Sequence, residues 1–368
     1  MKAALFVSLP YGPTREQSTR WPVPNELYDP EQGVQAVASA LADVELADEL
    51  GFDWIGCAEH HYSPGSLAPN VDVVAAAISQ RAKRAKVCIM GALIPLNNPV
   101  RIAEEYALID TMTGGRLVAG LLRGAPYEYL VYNVAPAESR SRFEEAFELI
   151  EHAWTETQPF GWDGNHYHFS NVSIWPRPVQ QPTPPIFISG SSQESGEFAA
   201  RKRIGLGLAF TNVKLAAPAA RFYREKAAEF GWTPAQDQII YGHLPVQLYQ
   251  TDQQAFDAAR PMVERSGALA GGILAANRLV VEAGFFGQRD QTLTRRFQHM
   301  AEEPRHTLEE QIELGTLLCG GPDTVVKQMR HLRDELGVGV LSLNFVGPRR
   351  EETIQLFAKE VLPAMHDL

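Results

Sequence analysis

The amino-acid sequence predicts an α/β fold: a closed (β/α)8 TIM barrel with a small inserted hairpin. Eight short apolar runs alternate with helical patterns along the chain, and no internal repeat or low-complexity tract interrupts them. Strands that alternate with helices are typical of a parallel sheet, which favours the barrel over an open doubly wound sheet. Because α/β barrels of 368 residues often form one domain, we expect a single domain over residues 1–368.

The first half of the chain supplies four strand-and-helix pairs. Buried strands read as short apolar runs, whereas the helices show apolar residues at a spacing of three to four. Asn98 and Pro99 are typical of a helix start, and Gly114 is typical of a helix end. The predicted strands are 1–10, 52–58, 87–94 and 117–122, and the predicted helices lie within 34–50, 71–82, 98–113 and 143–154. A long polar segment, 11–33, is expected to overhang the exit of the first strand.

The second half contains the insertion and the last four strands. Residues 160–169 predict a small hairpin that turns at Asp163 and Gly164, and a proline-rich connector follows at 175–185. Aromatic residues cluster in this insertion, and packing within the hairpin explains them better than a base-stacking surface, since basic residues are not interleaved. The predicted strands are 186–189, 205–210, 239–248 and 338–345. Residues 251–318 show no clear pattern.

The net charge of −11 argues against nucleic acid or an anionic membrane as the main partner, and favours a small organic molecule. Residues 1–10 are too short and too interrupted for a targeting signal, and no apolar run is long enough to span a bilayer. Three cysteines without a paired spacing fit a reducing compartment. A cytoplasmic location is therefore expected.

Polar side chains follow the second predicted strand, where Glu59, His60 and His61 stand together. Neighbouring side chains on a strand point to opposite faces, and neither an HExxH motif nor a carboxylate cluster is present, so no metal site is expected. One imidazole, with an ordinary pKa of about 6.5, can face the barrel mouth and exchange a proton near neutral pH. A histidine that only hydrogen-bonds to backbone is an equally good interpretation.

Two features at later strand exits could bind an anion. Arg123 lies beside Gly124, where flexible backbone lets a phosphate approach, although a salt bridge would also explain the arginine. The small-residue turn at 190–195 begins a helix, and its serines could bind an anion or only cap that helix. Since both features lie at the same end of one barrel, a phosphorylated ligand is favoured. A glycine-rich dinucleotide motif is not found, so a Rossmann site is not indicated.

Several motifs occur together in an order that spans about residues 1–250. They are Phe52-Asp53-Trp54 before Glu59-His60-His61, Asn98-Pro99-Val100-Arg101 before Gly114-Gly115-Arg116, Arg123-Gly124, Ser139-Arg140, Trp175-Pro176-Arg177-Pro178, Gln181-Pro182 and Ser191-Ser192. In these motifs the chain resembles the bacterial-luciferase-like flavin-dependent monooxygenase family. Each motif is weak alone, but their shared order makes the resemblance fairly specific.

The resemblance implies a monooxygenase that receives reduced FMN as a cosubstrate from a separate NAD(P)H-flavin reductase. The reduced FMN reacts with oxygen to form a flavin peroxide, which oxidises a small organic substrate, and a homodimer is usual. By position, His60 matches the catalytic histidine. The expected cofactor-binding residues are Glu59, Met90, Gly91, Arg123, Arg140, Gly190, Ser191, Ser192 and Ser195. The peptide between Met90 and Gly91 is expected to be cis, as in the light-emitting relatives.

Two positions depart from the light-emitting relatives: Leu122 replaces a reactive cysteine, and Phe210 replaces a tryptophan. Light emission from an aldehyde is therefore not expected. The resemblance also implies a mobile segment before the last strand, the active-site loop of the family, within residues 251–318. Two other functions remain open on the same barrel. One is hydride transfer with a deazaflavin and without oxygen, and the other is a flavin-binding protein that has lost turnover.

Overall fold

A computed structural model describes residues 1–11, 21–62, 64–264 and 306–368. Among these residues, nine strands form one parallel sheet, and eight of them close into a barrel because β9 pairs with both β8 and β11. The strands are β1 Lys2–Phe6, β2 Trp54–Cys57, β3 Lys86–Leu93, β4 Leu117–Leu122, β5 Phe160–Asp163, β6 His168–Val172, β7 Ile186–Ser189, β8 Gly205–Ala209, β9 Ile239–Leu248, β10 Leu318–Gly320 and β11 Val340–Phe345. The predicted (β/α)8 barrel is confirmed.

Helices cover the outside of the barrel. They are α1 Pro30–Leu50, α2 Val71–Arg81, α3 Pro99–Thr113, α4 Ser139–Thr155, α5 Gln193–Lys202, α6 Val213–Glu229, α7 at 252–264, α8 Leu308–Glu313, α9 Pro322–Leu336, α10 Arg350–Glu360 and α11 Leu362–His366. Local chemistry sets their ends: the Asn98 side chain accepts hydrogen bonds from the first turn of α3, and Gly114 ends that helix in the left-handed conformation. Both ends were predicted from the sequence.

The apolar core has two layers. The larger layer lies between the strands and the surrounding helices, and it includes Trp154, Tyr106 and Phe147, which are fully buried. A smaller cluster fills the barrel interior with side chains from seven strands: Ala4, Trp54, Cys88, Val118, Phe187, Ile240 and Val340, together with partly buried Met90 and Leu122. A filled interior leaves the strand ends as the place where ligands of such barrels bind.

The other parts of the predicted fold differ in their outcome. The inserted hairpin is confirmed, since β5 and β6 pair in antiparallel fashion. The sequence analysis missed β10, which has only three residues and pairs with the end of β9. The segment expected to be mobile lies largely outside the described residues, and the single domain over 1–368 stays a prediction.

Among the described residues, no helix combines the length and the apolar character needed to cross a membrane. All three cysteines are buried and free.

Candidate active site

The carboxyl ends of the strands carry the candidate residues on separate loops. His60 follows β2, Arg123 follows β4, and Gly190 follows β7. The 3-10 helix Pro126–Leu130, in the loop after β4, contacts the loop after β2 through a hydrogen bond between His60 and Glu128. This contact brings the histidine and the loop that begins at Arg123 to one mouth of the barrel.

His60 is held by a buried carboxylate. Its Nδ1 atom lies 3.1 Å from Oε1 of Glu128, whose side chain is 2% exposed, while the His60 side chain is 28% exposed. The other oxygen of Glu128 accepts a hydrogen bond from the Ala125 amide. Burial lowers the pKa of His60, but the hydrogen bond and charge of Glu128, with the charge of Glu59, outweigh burial and raise this pKa above its ordinary value. His60 is therefore more readily protonated than an ordinary histidine, and part of its side chain stays exposed.

Glu59 and His61 form a second, fully buried pair. The Nε2 atom of His61 lies 3.0 Å from Oε1 of Glu59, and the side chains are 3% and 5% exposed. Oε2 of Glu59 accepts a hydrogen bond from the backbone N–H of Leu93, and Oε1 lies 3.5 Å from the side-chain nitrogen Nδ2 of Asn97. Both oxygens of Glu59 thus have partners within the protein. These hydrogen bonds hold the loop after β2, which carries His60, against the end of β3.

The end of β3 has an unusual backbone. The peptide between Met90 and Gly91 is cis, as expected from the resemblance. Here the pairing of β3 with β4 shifts register between Ile89 and Ala92. Gly91 packs so closely on β4 that a Cβ atom would clash with the carbonyl oxygen of Gly120. The sulfur of Met90 reaches across the barrel and lies 3.5 Å from the hydroxyl of Ser342 on β11.

The predicted phosphate-binding residues lie along the β4 and β7 exits. Arg123 is half-buried, and its guanidinium makes no hydrogen bond or ion pair with the described residues. Its carbonyl accepts a hydrogen bond from the Tyr129 hydroxyl, which keeps the arginine at the start of the loop. Arg140 differs, because it forms ion pairs with Glu144 at 2.9 Å and with Glu194 at 2.7 Å. Of these two arginines, Arg123 is the one whose guanidinium has no partner among the described residues.

The turn after β7 begins α5 and uses its serines in part for the helix itself. The Ser192 hydroxyl accepts a hydrogen bond from the Ser195 amide, and the two hydroxyls lie 3.0 Å apart. Ser192 is therefore the N-cap of α5, the ordinary alternative noted for these serines. A Cβ atom at Gly190 would lie 2.5 Å from Oγ of Ser195, so a larger residue there would displace the Ser195 side chain. Glu194, the partner of Arg140, connects this turn to α4.

A residue that sequence analysis missed, His243, also lies near this mouth. Its imidazole contacts Phe6 at the end of β1 and Phe210 after β8, with ring-centre distances of 4.8 Å and 4.9 Å. Burial first, and then the charge of nearby His60, lower the pKa of His243 to about 4, so it is neutral at neutral pH. The only sequence signal was an isolated polar residue within an apolar strand pattern, which strand periodicity alone does not flag.

A separate cavity opens at the opposite end of the barrel. It has a volume of about 860 Å³ and is lined by the first residues of several strands, including Trp54, Lys86 and Gly205, and by His152 of α4. Because it lies at the amino-terminal end, it is distant from His60 and Arg123. In barrels of this class ligands are processed at the carboxyl-terminal end, so we do not assign the chemistry to this cavity.

Comparisons with known proteins identify relatives of the chain. Residues 18–339 match the luciferase-like monooxygenase family. The alkanal monooxygenase alpha chain of Photorhabdus luminescens is 30% identical over 190 residues, which are 50% of this chain and 52% of that protein. The oxygenase component of the flavin-dependent trigonelline monooxygenase of Acinetobacter baylyi is 29% identical over 158 residues, which are 42% of this chain and 43% of that protein. The aligned segments thus span about half the length of these curated relatives.

Solved structures share the whole fold. The monooxygenase RslO1 from Streptomyces bottropensis superimposes with a TM-score of 0.76 at 24% identity, and each chain is covered fully. The oxygenating constituent of 3,6-diketocamphane monooxygenase from Pseudomonas putida, in complex with FMN, gives 0.72 at 20% identity, with 99% and 98% covered. An F420-dependent secondary alcohol dehydrogenase gives 0.71 at 16% identity, with 99% and 98% covered. At these identities the likeness is one of fold.

Proposed function

The chain belongs to the luciferase-like monooxygenase family, and from that premise we propose that it is a flavin-dependent monooxygenase. In this proposal it takes reduced FMN from a separate NAD(P)H-flavin reductase and uses oxygen to oxidise a small organic substrate. One oxygen atom enters the substrate and the other leaves as water. The observation that carries the proposal is the meeting, at one barrel mouth, of the His60–Glu128 pair and the loop that begins with the free guanidinium of Arg123.

The residues at the mouth fit an FMN molecule. Arg123 has no anionic partner in the described chain, and the backbone beside it at Gly124 adopts a φ of 90°, which favours glycine. A guanidinium forms paired, charge-assisted hydrogen bonds with a phosphate, and the start of α5 adds backbone amides and serine hydroxyls. We propose that Arg123, Gly190, Ser191, Ser192 and Ser195 hold the phosphate.

Three further assignments rest on less direct contacts. Arg140 would join the phosphate-binding residues only if the phosphate replaced Glu194 as its partner. Glu59 would act indirectly, since its carboxylate is bound to His61 and to the end of β3. Met90 and Gly91 would contact the flavin ring through backbone that lies where β3 ends. Each of these roles is part of the proposal.

Bound reduced FMN would supply the electrons that activate oxygen. The chain's own residues would bind the cofactor, orient the substrate and exclude water. His60 would hold or deliver the proton that the oxidation requires, from the ring nitrogen opposite Glu128. Because Glu128 is buried, it fixes the orientation of the ring and stabilises the protonated form.

Reoxidation of flavin in oxygenated buffer tests this function. The purified protein is mixed with one equivalent of reduced FMN without oxygen, and oxygenated buffer is then added while the flavin absorbance is followed. Free reduced FMN reoxidises quickly, so the protein should slow reoxidation in proportion to its concentration. An unchanged rate would overturn the proposal.

An F420-type deazaflavin is the second candidate, because an F420-dependent dehydrogenase has the same fold. It also carries a phosphate and a three-ring system, so Arg123 and α5 suit either cofactor. Reduction of a ketone to its alcohol by reduced F420, without oxygen uptake, would support this candidate instead. A flavin-binding protein without turnover is the remaining alternative, and it predicts that His60→Ala changes no rate.

A further inference from the structure

His243 occupies a β-bulge that turns its side chain toward the barrel mouth. On β9, Gly242 pairs with Ser342 and Leu244 pairs with Leu343, so His243 is an extra residue that has no partner on β11. Its φ of 63° lies in the left-handed region, which non-glycine residues rarely adopt. Bulges of this kind re-aim a side chain and are frequent next to active sites.

Two aromatic side chains, from the ends of two other strands, contact the imidazole. The ring of Phe6 meets it edge-on, with an interplanar angle of 85°, and the ring of Phe210 lies at 36° to it. His60, from the loop after β2, is close enough that its charge affects the titration of His243. The imidazole thus lies between the ends of β1, β2 and β8, at the mouth that would hold the cofactor.

The two ring nitrogens of His243 differ in their surroundings. Nδ1 is buried and has no hydrogen-bond partner among the described residues. A buried N–H group without an acceptor is rarer in proteins than an acceptor that lacks a donor, so the proton of the neutral ring belongs on Nε2. The residue as a whole is partly exposed, and Nε2 makes no hydrogen bond to the described chain. His243 therefore presents a neutral N–H donor that the protein itself does not use.

We propose that His243 is a flavin-binding residue, which donates a hydrogen bond from Nε2 to a carbonyl oxygen on the edge of the flavin ring. The inference rests on the proposed function and adds a ring contact to the phosphate contacts of Arg123. A neutral donor suits a neutral carbonyl, and the buried ring of Phe6 shields one side of the imidazole from water, which strengthens the bond. The ring contact should be independent of the phosphate.

Riboflavin, which has the flavin ring but no phosphate, provides the test. Equilibrium dialysis without oxygen measures the affinity of the protein for reduced FMN and for reduced riboflavin. His243→Phe keeps a flat ring but removes the donor, and should weaken both affinities by the same factor, about three- to tenfold. His243→Gln can place an amide N–H near the position of Nε2 and should restore most of the affinity. Arg123→Ala is the matched control, because it should weaken only the binding of FMN.

The flavin affinities are compared after thermal unfolding has shown that the variants fold. Equal affinities of the wild type and His243→Phe for both flavins would overturn the inference and leave the proposed function intact. The inference would also fail if only FMN binding weakened, or if His243→Gln bound as weakly as His243→Phe. A wild type that binds neither flavin would overturn the proposed function, and the inference with it.

Discussion

Replacing Glu128 with glutamine should lower the pKa of His60. In the wild type, burial lowers this pKa, but the 3.1 Å hydrogen bond and the charge of Glu128, together with the charge of Glu59, outweigh burial and raise the pKa. The glutamine amide can keep the shape and the contact with the Ala125 amide, but it brings no charge, so burial is then opposed only by Glu59. Glu128 is almost fully shielded from water. A hydrogen bond to such a charged group is worth about 1.5–3 kcal/mol. Well above the pKa, the protonated fraction of His60 should fall roughly tenfold to a hundredfold.

Histidine NMR titration of the protein without cofactor measures this change directly. The resonances of His60, assigned with His60→Ala, should titrate at lower pH in Glu128→Gln than in the wild type. Asp163→Asn is the control: Asp163 lies 2.8 Å from His168, but both side chains are largely exposed, at 96% and 62%. Exposed pairs contribute little, so this variant should leave His60 unchanged. An identical His60 titration in Glu128→Gln and wild type would refute the role of the buried carboxylate.

Three further predictions concern binding and stability. Arg123→Ala should weaken FMN binding roughly tenfold to a hundredfold in dialysis, and an unchanged affinity would remove the arginine from the phosphate site. Gly91→Ala should unfold at a clearly lower denaturant concentration, because its Cβ would clash with the Gly120 carbonyl, and wild-type stability would contradict the close packing. The free energy of unfolding should fall as the pH drops from about 6.5 toward 4, because the unfolded chain then protonates His243 while the folded chain, with a His243 pKa of about 4, does not. This loss is at most about 3 kcal/mol, and denaturant titrations of His243→Gln should lack it.

The barrel could be predicted from sequence because its signals are local. Buried strands appear as short apolar runs, and Asn98 and Gly114 set helix ends through contacts within a few residues. A strand of three residues such as β10 is too short to carry a periodic pattern. Its formation depends instead on the end of β9, which is distant in sequence.

The candidate site was predictable in part. His60 and Arg123 could be located because each follows a predicted strand. The partner of His60, Glu128, lies 68 residues away in a loop without periodicity, so nothing in the sequence joined them. His243 was missed for a related reason: its orientation comes from a bulge, and a bulge depends on register with β11. Sequence periodicity predicts which face a strand buries, but does not reveal where its register slips.

The proposal that FMN binds at the carboxyl-terminal mouth is tested most directly by finding which end of the barrel binds FMN. FMN is added to protein labelled with nitrogen-15 in its histidines, and the resonances of His60 and His152 are compared. His60 lies at the carboxyl-terminal mouth, and His152 lines the cavity at the opposite end. We expect the resonances of His60 to shift on addition of FMN and those of His152 to stay unchanged. A shift of His152 without a shift of His60 would contradict the account.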